Sequence, residues 1–284
     1  MPEPPRDLSG SIRAAAAAGR ILVMGIVNVT PDSFSDGGRF DSVDKALAHA
    51  QRLVDEGADI LDIGGESTRP GAASVNAETE IERVVPVIEA IRAELQTPIS
   101  IDTMKGEVMR AAVAAGAGMI NEVNGLRDPD ALAAAAELDV PACIMHMQGE
   151  PRTMQRNPQY SDVVEDLLAF FRERVATCLG AGIAERNLVL DPGFGFGKSL
   201  EHNLNLLDRF GRFREFGLPL LAGLSRKSML GKITGREDAD QRVAASLAGA
   251  VLAAERGADI LRVHDVAETV DAVKVIHALR GVRS

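Results

Sequence analysis

"EGADILDI" (56–63) and "RGADILRV" (256–263) are nearly one phrase, and "AGAGMINEV" (115–123) is a looser copy. In each, a glycine closes an amphipathic segment and a short turn enters an apolar run, which reads as a helix ending and a strand beginning. Working outward, the chain carries eight apolar runs of strand length: "ILVMGIVNV" (21–29), "DILDIG" (59–64), "PISID" (98–102), "MINEV" (119–123), "VPACIMH" (140–146), "NLVLD" (187–191), "LPLLAGL" (218–224) and "DILRVH" (259–264). Between them lie segments with apolar residues at three- and four-residue spacing, such as "SVDKALAHAQRLVDEG" (42–57) and "VAASLAGAVLAAERG" (243–257), the helical period. Thr79 with Glu82 reads as a capping box, and Asp128 before Pro129 as an N-cap followed by proline at the first helical position.

Strands alternating with helices build parallel sheets, and eight such units predict a closed (β/α)8 TIM barrel over residues 21–284 as one domain. An open doubly wound sheet is the alternative. It needs a glycine-rich first βα turn for phosphate, and that turn here reads "NVTPDSFSDGG" (28–38). Residues 1–20 are proline-rich and then "SIRAAAAAGR"; with Glu3 and Asp7 and no continuous apolar stretch, they are expected to form a flexible tail and not a targeting signal.

Composition narrows the classes. The 284 residues are 46% hydrophobic and 25% charged, an ordinary globular balance. The net charge of −10 opposes nonspecific nucleic-acid binding, which needs a basic face. No apolar stretch approaches the ~18 residues of a membrane span. Cys143 and Cys178 lie in apolar surroundings without CxxC spacing, which fits reduced, buried thiols and a cytoplasmic protein.

In a barrel of this kind the active site lies at the C-terminal strand ends. Each run delivers a polar group there: Asn28; Asp62; Asp102; Asn121 and Glu122; His146; Asp191; Arg226, Lys227 and Ser228; Arg262 and His264. The stretch "VLDPGFGFGKSL" (189–200) imitates a nucleotide loop but misses both motifs by one residue. Pro192 stands where a Walker A loop needs its first glycine, and Lys198 where a dinucleotide fingerprint needs its third. It reads instead as a βα loop whose glycines bring backbone close to a ligand while Phe194 and Phe196 offer flat faces; Lys198 is expected in solvent. Asp102, Asn121, Asp191 and Asn28 suit a flat heterocycle with several donors at its edge, and Arg69, Lys227, Arg262 and His264 suit a phosphate or pyrophosphate. His146 is expected to pack or to support other groups, and His49, His202 and His277 to be solvated or capping. No HxH or HExxH pair predicts a protein-held zinc. Reading Asp102 and Asp191 as a glycosidase pair is opposed by the basic cluster and by a composition with no Trp and one Tyr.

"MGIVNVTPDSFSDGG" (24–38), "GADILDIGGESTRPGA" (57–72), "ISIDT" (99–103), "INEVNG" (120–125), "MHMQG" (145–149), "LDPGFGFGKS" (190–199), "GLSRKSMLG" (223–231) and "LRVHDV" (261–266), in this order, resemble the dihydropteroate synthase family. The resemblance implies a transferase of folate biosynthesis and a sulfonamide target. It would join p-aminobenzoate to 6-hydroxymethyl-7,8-dihydropterin diphosphate, giving 7,8-dihydropteroate and pyrophosphate, by dissociation before attack. Asp102, Asn121, Asp191 and Lys227 would hold the pterin. Asn28 would help bind Mg²⁺ on the diphosphate, which Arg262 and His264 would grip. Thr68, Arg69 and Pro70 would lie on one mobile loop, and Asp32, Ser33, Phe34, Ser35 and Asp36 on another that closes over the site. Phe196 and Ser228 would border the p-aminobenzoate pocket, and the chain would form a homodimer. Two rivals share the pterin pocket: a pterin-dependent methyltransferase barrel, which has no use for a diphosphate site, and a non-catalytic pterin-binding paralogue, which would show damage at the loops or the basic residues.

Overall fold

The computed structural model describes residues 7–30, 39–67, 74–150 and 153–283. The first-loop residues Asp32–Asp36 and the second-loop residues Thr68, Arg69 and Pro70 lie outside them. The strands are β1 (Leu22–Asn28), β2 (Ile60–Gly64), β3 (Ile99–Asp102), β4 (Met119–Glu122), β5 (Ala142–Met145), β6 (Leu188–Asp191), β7 (Leu221–Ala222) and β8 (Ile260–Val263). The helices that matter below are α1 (Leu8–Ala17), α2 (Arg39–Asp55), α3 (Ala77–Glu94), α4 (Gly106–Ala115), α5 (Pro129–Leu138), α6 (Val163–Gly180), α7 (Leu200–Asp208), α8 (Ser228–Thr234), α9 (Val243–Glu255) and α10 (Val266–Arg283).

All ladders are parallel, in the order β6-β5-β4-β3-β2-β1-β8-β7. A parallel bridge between Leu190 and Leu220 joins the two ends, so the sheet closes. β7 is much shorter than the run 218–224 suggested. Pro219 has no N–H to give the ladder, and its carbonyl instead accepts from Leu190 N at 2.9 Å across the seam.

The repeated phrase has a structural reason. Gly57, Gly116 and Gly257 take φ of 102°, 118° and 104°, a left-handed turn open to glycine that redirects the chain from helix to strand. In the copies at 57 and 257 the aspartate that follows staples a neighbouring strand: Asp59 accepts from Val23 N and Asp259 from Leu220 N, both at 2.9 Å.

Strand side chains alternate between the two faces, and the core divides accordingly. Outward residues such as Leu61, Ile63, Ile101, Ile120, Ile144 and Leu190 pack under the helices. Inward residues Leu22, Met24, Ile60, Met119, Cys143, Val189, Leu221 and Ile260 fill the lower half of the barrel.

Two expectations need correction. The flexible tail does not hold for residues 8–17, which form α1 and close the bottom of the barrel by burying Leu8, Ser9, Ile12 and Ala15. Asp7 caps it, accepting from Gly10 N at 2.9 Å, and alanine is the strongest helix former. Leu8, Ile12 and Ala15 recur at helical spacing, a stripe the alanine run disguises. Ser9 Oγ donates to Asn187 Oδ1 at 2.5 Å, tying the plug to the entry of β6. The cap of α3 is Asn76, which accepts from Thr79 N at 2.8 Å, so Thr79 lies inside the helix. Asp128 caps α5 as expected, with Pro129 first in the helix.

Because Ile12 is 1% exposed, Ile12→Ala should cost about 2–5 kcal/mol, read as a lower urea midpoint. An unchanged midpoint would show that the plug does not contribute to stability.

Candidate active site

The period of two that fills the lower barrel also builds its upper layer. Two residues beyond Ile60, Met119, Val189 and Ile260 come Asp62, Asn121, Asp191 and Arg262, on the same inner face. Asp102 joins them from β3, two residues beyond the buried Ser100.

Arg262 crosses the centre. Its Nε donates to Asp62 Oδ2 at 2.6 Å and its Nη2 to Asp102 Oδ2 at 2.7 Å. Asn121 Nδ2 donates to the same Asp62 oxygen at 3.1 Å. The other oxygens, Asp62 Oδ1 and Asp102 Oδ1, are buried without a donor among the described residues. Burial pushes Asp102 up to about 7, against the pull of Arg262 and with the like charge of Asp62 adding to the rise. Asn28, Gly64, Asp102 and Asn121 stand in one register row. Gly64 leaves the row open, since a Cβ there would lie 3.6 Å from Asp102 Cβ and 3.8 Å from Asn28 Oδ1.

Across the mouth, Asp191 Oδ1 accepts from Gly193 N at 2.8 Å. Burial raises the Asp191 pKa while Lys227 opposes it. The Lys227 ammonium donates to the Phe194 carbonyl and sits 4.4 Å from the centre of the Phe196 ring, within cation–π range. Burial lowers its pKa to about 8, with Asp191 opposing. His264 is fixed from below: Ser225 Oγ accepts from His264 N at 3.1 Å and lies 3.0 Å from its Nδ1. Arg226 turns away to Asp265, 2.6 Å distant. Ser228 is exposed at the start of α8.

The structure therefore gathers Asn28, Asp102, Asn121, Asp191, Phe196, Lys227 and Arg262 around the upper barrel. It changes three readings. Lys198 is not in solvent: it is 3% exposed and hydrogen-bonded to His146 and to loop carbonyls. Phe194 faces away from the mouth, buried and stacked on Phe210 with centroids 5.9 Å apart. Arg262, expected as an anion grip, is engaged by two carboxylates in this structure.

Sequence reasoning placed Asp62 and Glu122 at strand ends but gave them no role. Asp62 holds Arg262 and Asn121. Glu122 accepts from Asn124 N at 2.9 Å and Leu126 N at 2.5 Å, shaping the turn after β4. A third group is Lys105, bonded at 2.5 Å to both Glu66 and Glu80. Glu66 also accepts from Val75 N at 3.1 Å, so the two stems of the second loop are tied to α3 and to the start of α4. Strand parity was the available signal for Asp62; Glu80, an acid buried in the first turn of α3, has no local sequence signal.

A closed (β/α)8 barrel whose upper layer sets three aspartates and two amides against a lysine and an arginine defines an enzyme class that holds a flat, polar, partly anionic ligand. Residues 24–264 match the family of pterin binding enzymes. The dihydropteroate synthase of Haemophilus influenzae is 54% identical over 256 residues, covering 90% of this chain and 93% of the relative. A structure of Xanthomonas albilineans dihydropteroate synthase with 4-aminobenzoic acid superposes with a TM-score of 0.87 at 57% identity, covering 92% of this chain and 93% of that one. Another from the same organism, in complex with 7,8-dihydropteroate, gives 0.82 at 52% identity with the same coverage. The chain belongs to the pterin-binding enzymes and, within them, to the dihydropteroate synthases, which are transferases.

Asp102 supplies a stability test. Its carboxyl stands at about 7 when folded and near 3.8 when free, so the folded state holds the proton more tightly. Its contribution is complete below the free value and is lost as pH rises through about 7. The urea midpoint of the wild type should fall between pH 5 and pH 8, and that of Asp102→Asn should fall less. Parallel slopes would contradict the assignment.

Proposed function

We propose that this chain condenses 6-hydroxymethyl-7,8-dihydropterin diphosphate with p-aminobenzoate, releasing pyrophosphate and 7,8-dihydropteroate, and that its side chains act by positioning and charge stabilisation. The carrying observation is Asp102: one oxygen is bound to Arg262 and the other is buried without a donor among the described residues. A buried acceptor of this kind is costly unless a ligand supplies the missing hydrogen bond, and the N–H-rich edge of a pterin does so. Asp191 would accept the paired donors of the amidine-like edge, Asn121 would add an amide, and Lys227 would donate to the ring's acceptors.

Asn28 offers one hard oxygen beside Asp102. Asn28 would hold, through its side-chain oxygen, a Mg²⁺ carried by the diphosphate. When bound it neutralises charge on the leaving group. Arg262 and His264 would bind the diphosphate from the chain's side. As the methylene C–O bond breaks, its electron pair leaves with pyrophosphate, and the carboxylates of Asp102 and Asp191 face the pterin cation that remains. The arylamine nitrogen, neutral at pH 7, then forms the C–N bond with its lone pair and loses a proton to solvent, so no side chain need act as base. Thr68, Arg69, Pro70 and the stretch Asp32–Asp36 would complete the site as closing loops, with Phe196 and Ser228 bordering the p-aminobenzoate.

A cytoplasmic homodimer belongs to the same proposal. Both cysteines are free and buried, which fits a reducing compartment. No described helix is long and apolar enough to cross a membrane. Val275, Leu279 and Val282 make an exposed stripe on α10, and Leu252 lies exposed on the neighbouring α9, an apolar surface suited to a second copy.

The test is to incubate the protein with the pterin diphosphate, Mg²⁺ and p-aminobenzoate and follow both products. Arg262→Ala should lower kcat by about 10²–10³, the scale for losing one charge-stabilising group. Near-normal turnover would refute the leaving-group role. Pterin binding by calorimetry without any product would favour the non-catalytic reading.

A further inference from the structure

The loop 192–199 between β6 and α7 holds a buried lysine that the proposed reaction does not use. Gly193, Gly195 and Gly197 have φ of 71°, 80° and 62°. This left-handed alternation points successive carbonyls in different directions, and each from 193 to 197 accepts from a side chain. Gly193 O accepts from Lys198 Nζ at 2.8 Å and Phe196 O from the same Nζ at 3.0 Å. Phe194 O accepts from Lys227, Gly195 O from Gln155, and Gly197 O from Tyr160 OH at 2.8 Å. Gly195 N donates to Asn203 Oδ1 at 2.7 Å. The loop lies hard against the end of β5, since a Cβ at Gly193 would come within 2.1 Å of His146 O and one at Gly197 within 2.4 Å of Gln148 O.

Lys198 Nζ also lies 3.0 Å from His146 Nδ1 and 3.3 Å from His146 O. Three carbonyls and one ring nitrogen thus surround it among the described residues. Burial drives the Lys198 pKa well down while Asp191 opposes it, and burial likewise lowers that of His146; in either protonation state the Nζ has protons to donate to the loop carbonyls.

We infer that Lys198 is a positioning residue: it fixes Phe196 by its carbonyl, so that the ring lies flat under the Lys227 ammonium and forms a preset wall for the arylamine. This rests on the reading of Phe196 as the border of the p-aminobenzoate pocket. Lys198 itself does not reach the mouth. Asp102, Asn121 and Arg262 stand on other strands and make none of these bonds, while Asp191 and Lys227 meet the loop at Gly193 N and the Phe194 carbonyl; loss of Lys198 therefore falls first on the Phe196 wall, only secondarily on these two pterin holders, and spares the diphosphate grip of Arg262.

Lys198→Met keeps the stem and removes the Nζ donor. We expect the KM for p-aminobenzoate to rise about tenfold, a scale that ångström-level misplacement readily reaches. The pterin diphosphate Kd, measured by calorimetry, should rise several-fold less than the KM for p-aminobenzoate, since Asp191 and Lys227 touch the loop only at residues 193 and 194, and backbone amides of 193–197 should exchange faster. Should this variant not fold, Tyr160→Phe removes one donor from the same loop and must move KM for p-aminobenzoate in the same direction while sparing pterin affinity. Equal losses for both substrates, or unchanged amide exchange in a folded variant, would overturn the inference. A wild type that makes no product would overturn the functional reading instead, while the exchange comparison would still decide whether Lys198 orders the loop.

Discussion

One guanidinium between two acids at the centre of the barrel sets the rest of the site. Two buried carboxylates facing each other repel, and burying either alone is costly. Arg262 between Asp62 and Asp102 resolves this for one oxygen of each acid and leaves the other oxygen of each without a donor among the described residues. The same residues thereby stabilise the closed sheet across β2, β3 and β8, and Asp102 remains short of a hydrogen bond that a ligand can supply. Asn121, bonded to the Asp62 oxygen that Arg262 also uses, extends the arrangement to β4. The upper barrel is therefore both a structural ion cluster and a binding site.

The second half of the mouth solves a different problem. Lys227 is held between Asp191, the Phe194 carbonyl and the Phe196 ring, and the backbone around it is a glycine loop that would be floppy in isolation. Its carbonyls are instead restrained by its own Lys198 and, from outside, by Gln155 and Tyr160. The conformational freedom that lets the chain turn so tightly is thus removed before a ligand arrives, so the site is preorganised.

Much of this was legible in the sequence because a strand has a period of two. Once "DILDIG" and "DILRVH" are read as strands, Ile60 and Ile260 fix the inner face, and Asp62 and Arg262 must share it one layer higher. The strand positions, the parallel order and the gathering of Asp102, Asn121, Asp191, Lys227 and Arg262 follow from that. What was hidden depends on contacts between distant segments. Lys198 looks like a surface lysine until β5 and its His146 are placed beside it. Phe194 and Phe196 are indistinguishable by spacing, and only the turn at Gly195 sends one into the core and the other to the mouth. The plug α1 was masked because alanine carries little hydrophobic signal, although Leu8, Ile12 and Ala15 keep helical spacing.

The central claim is that Asp62 acts on ligand binding through Arg262 and not by touching the ligand. A double-mutant cycle on pterin diphosphate affinity, measured calorimetrically with Asp62→Asn, Arg262→Gln and the pair, tests it directly. Neighbours in one hydrogen-bonded network are expected to couple, so the double variant should bind no more weakly than Arg262→Gln alone. Losses that add would mean that the two residues act separately, and the shared guanidinium would not be the constraint on which the site is built.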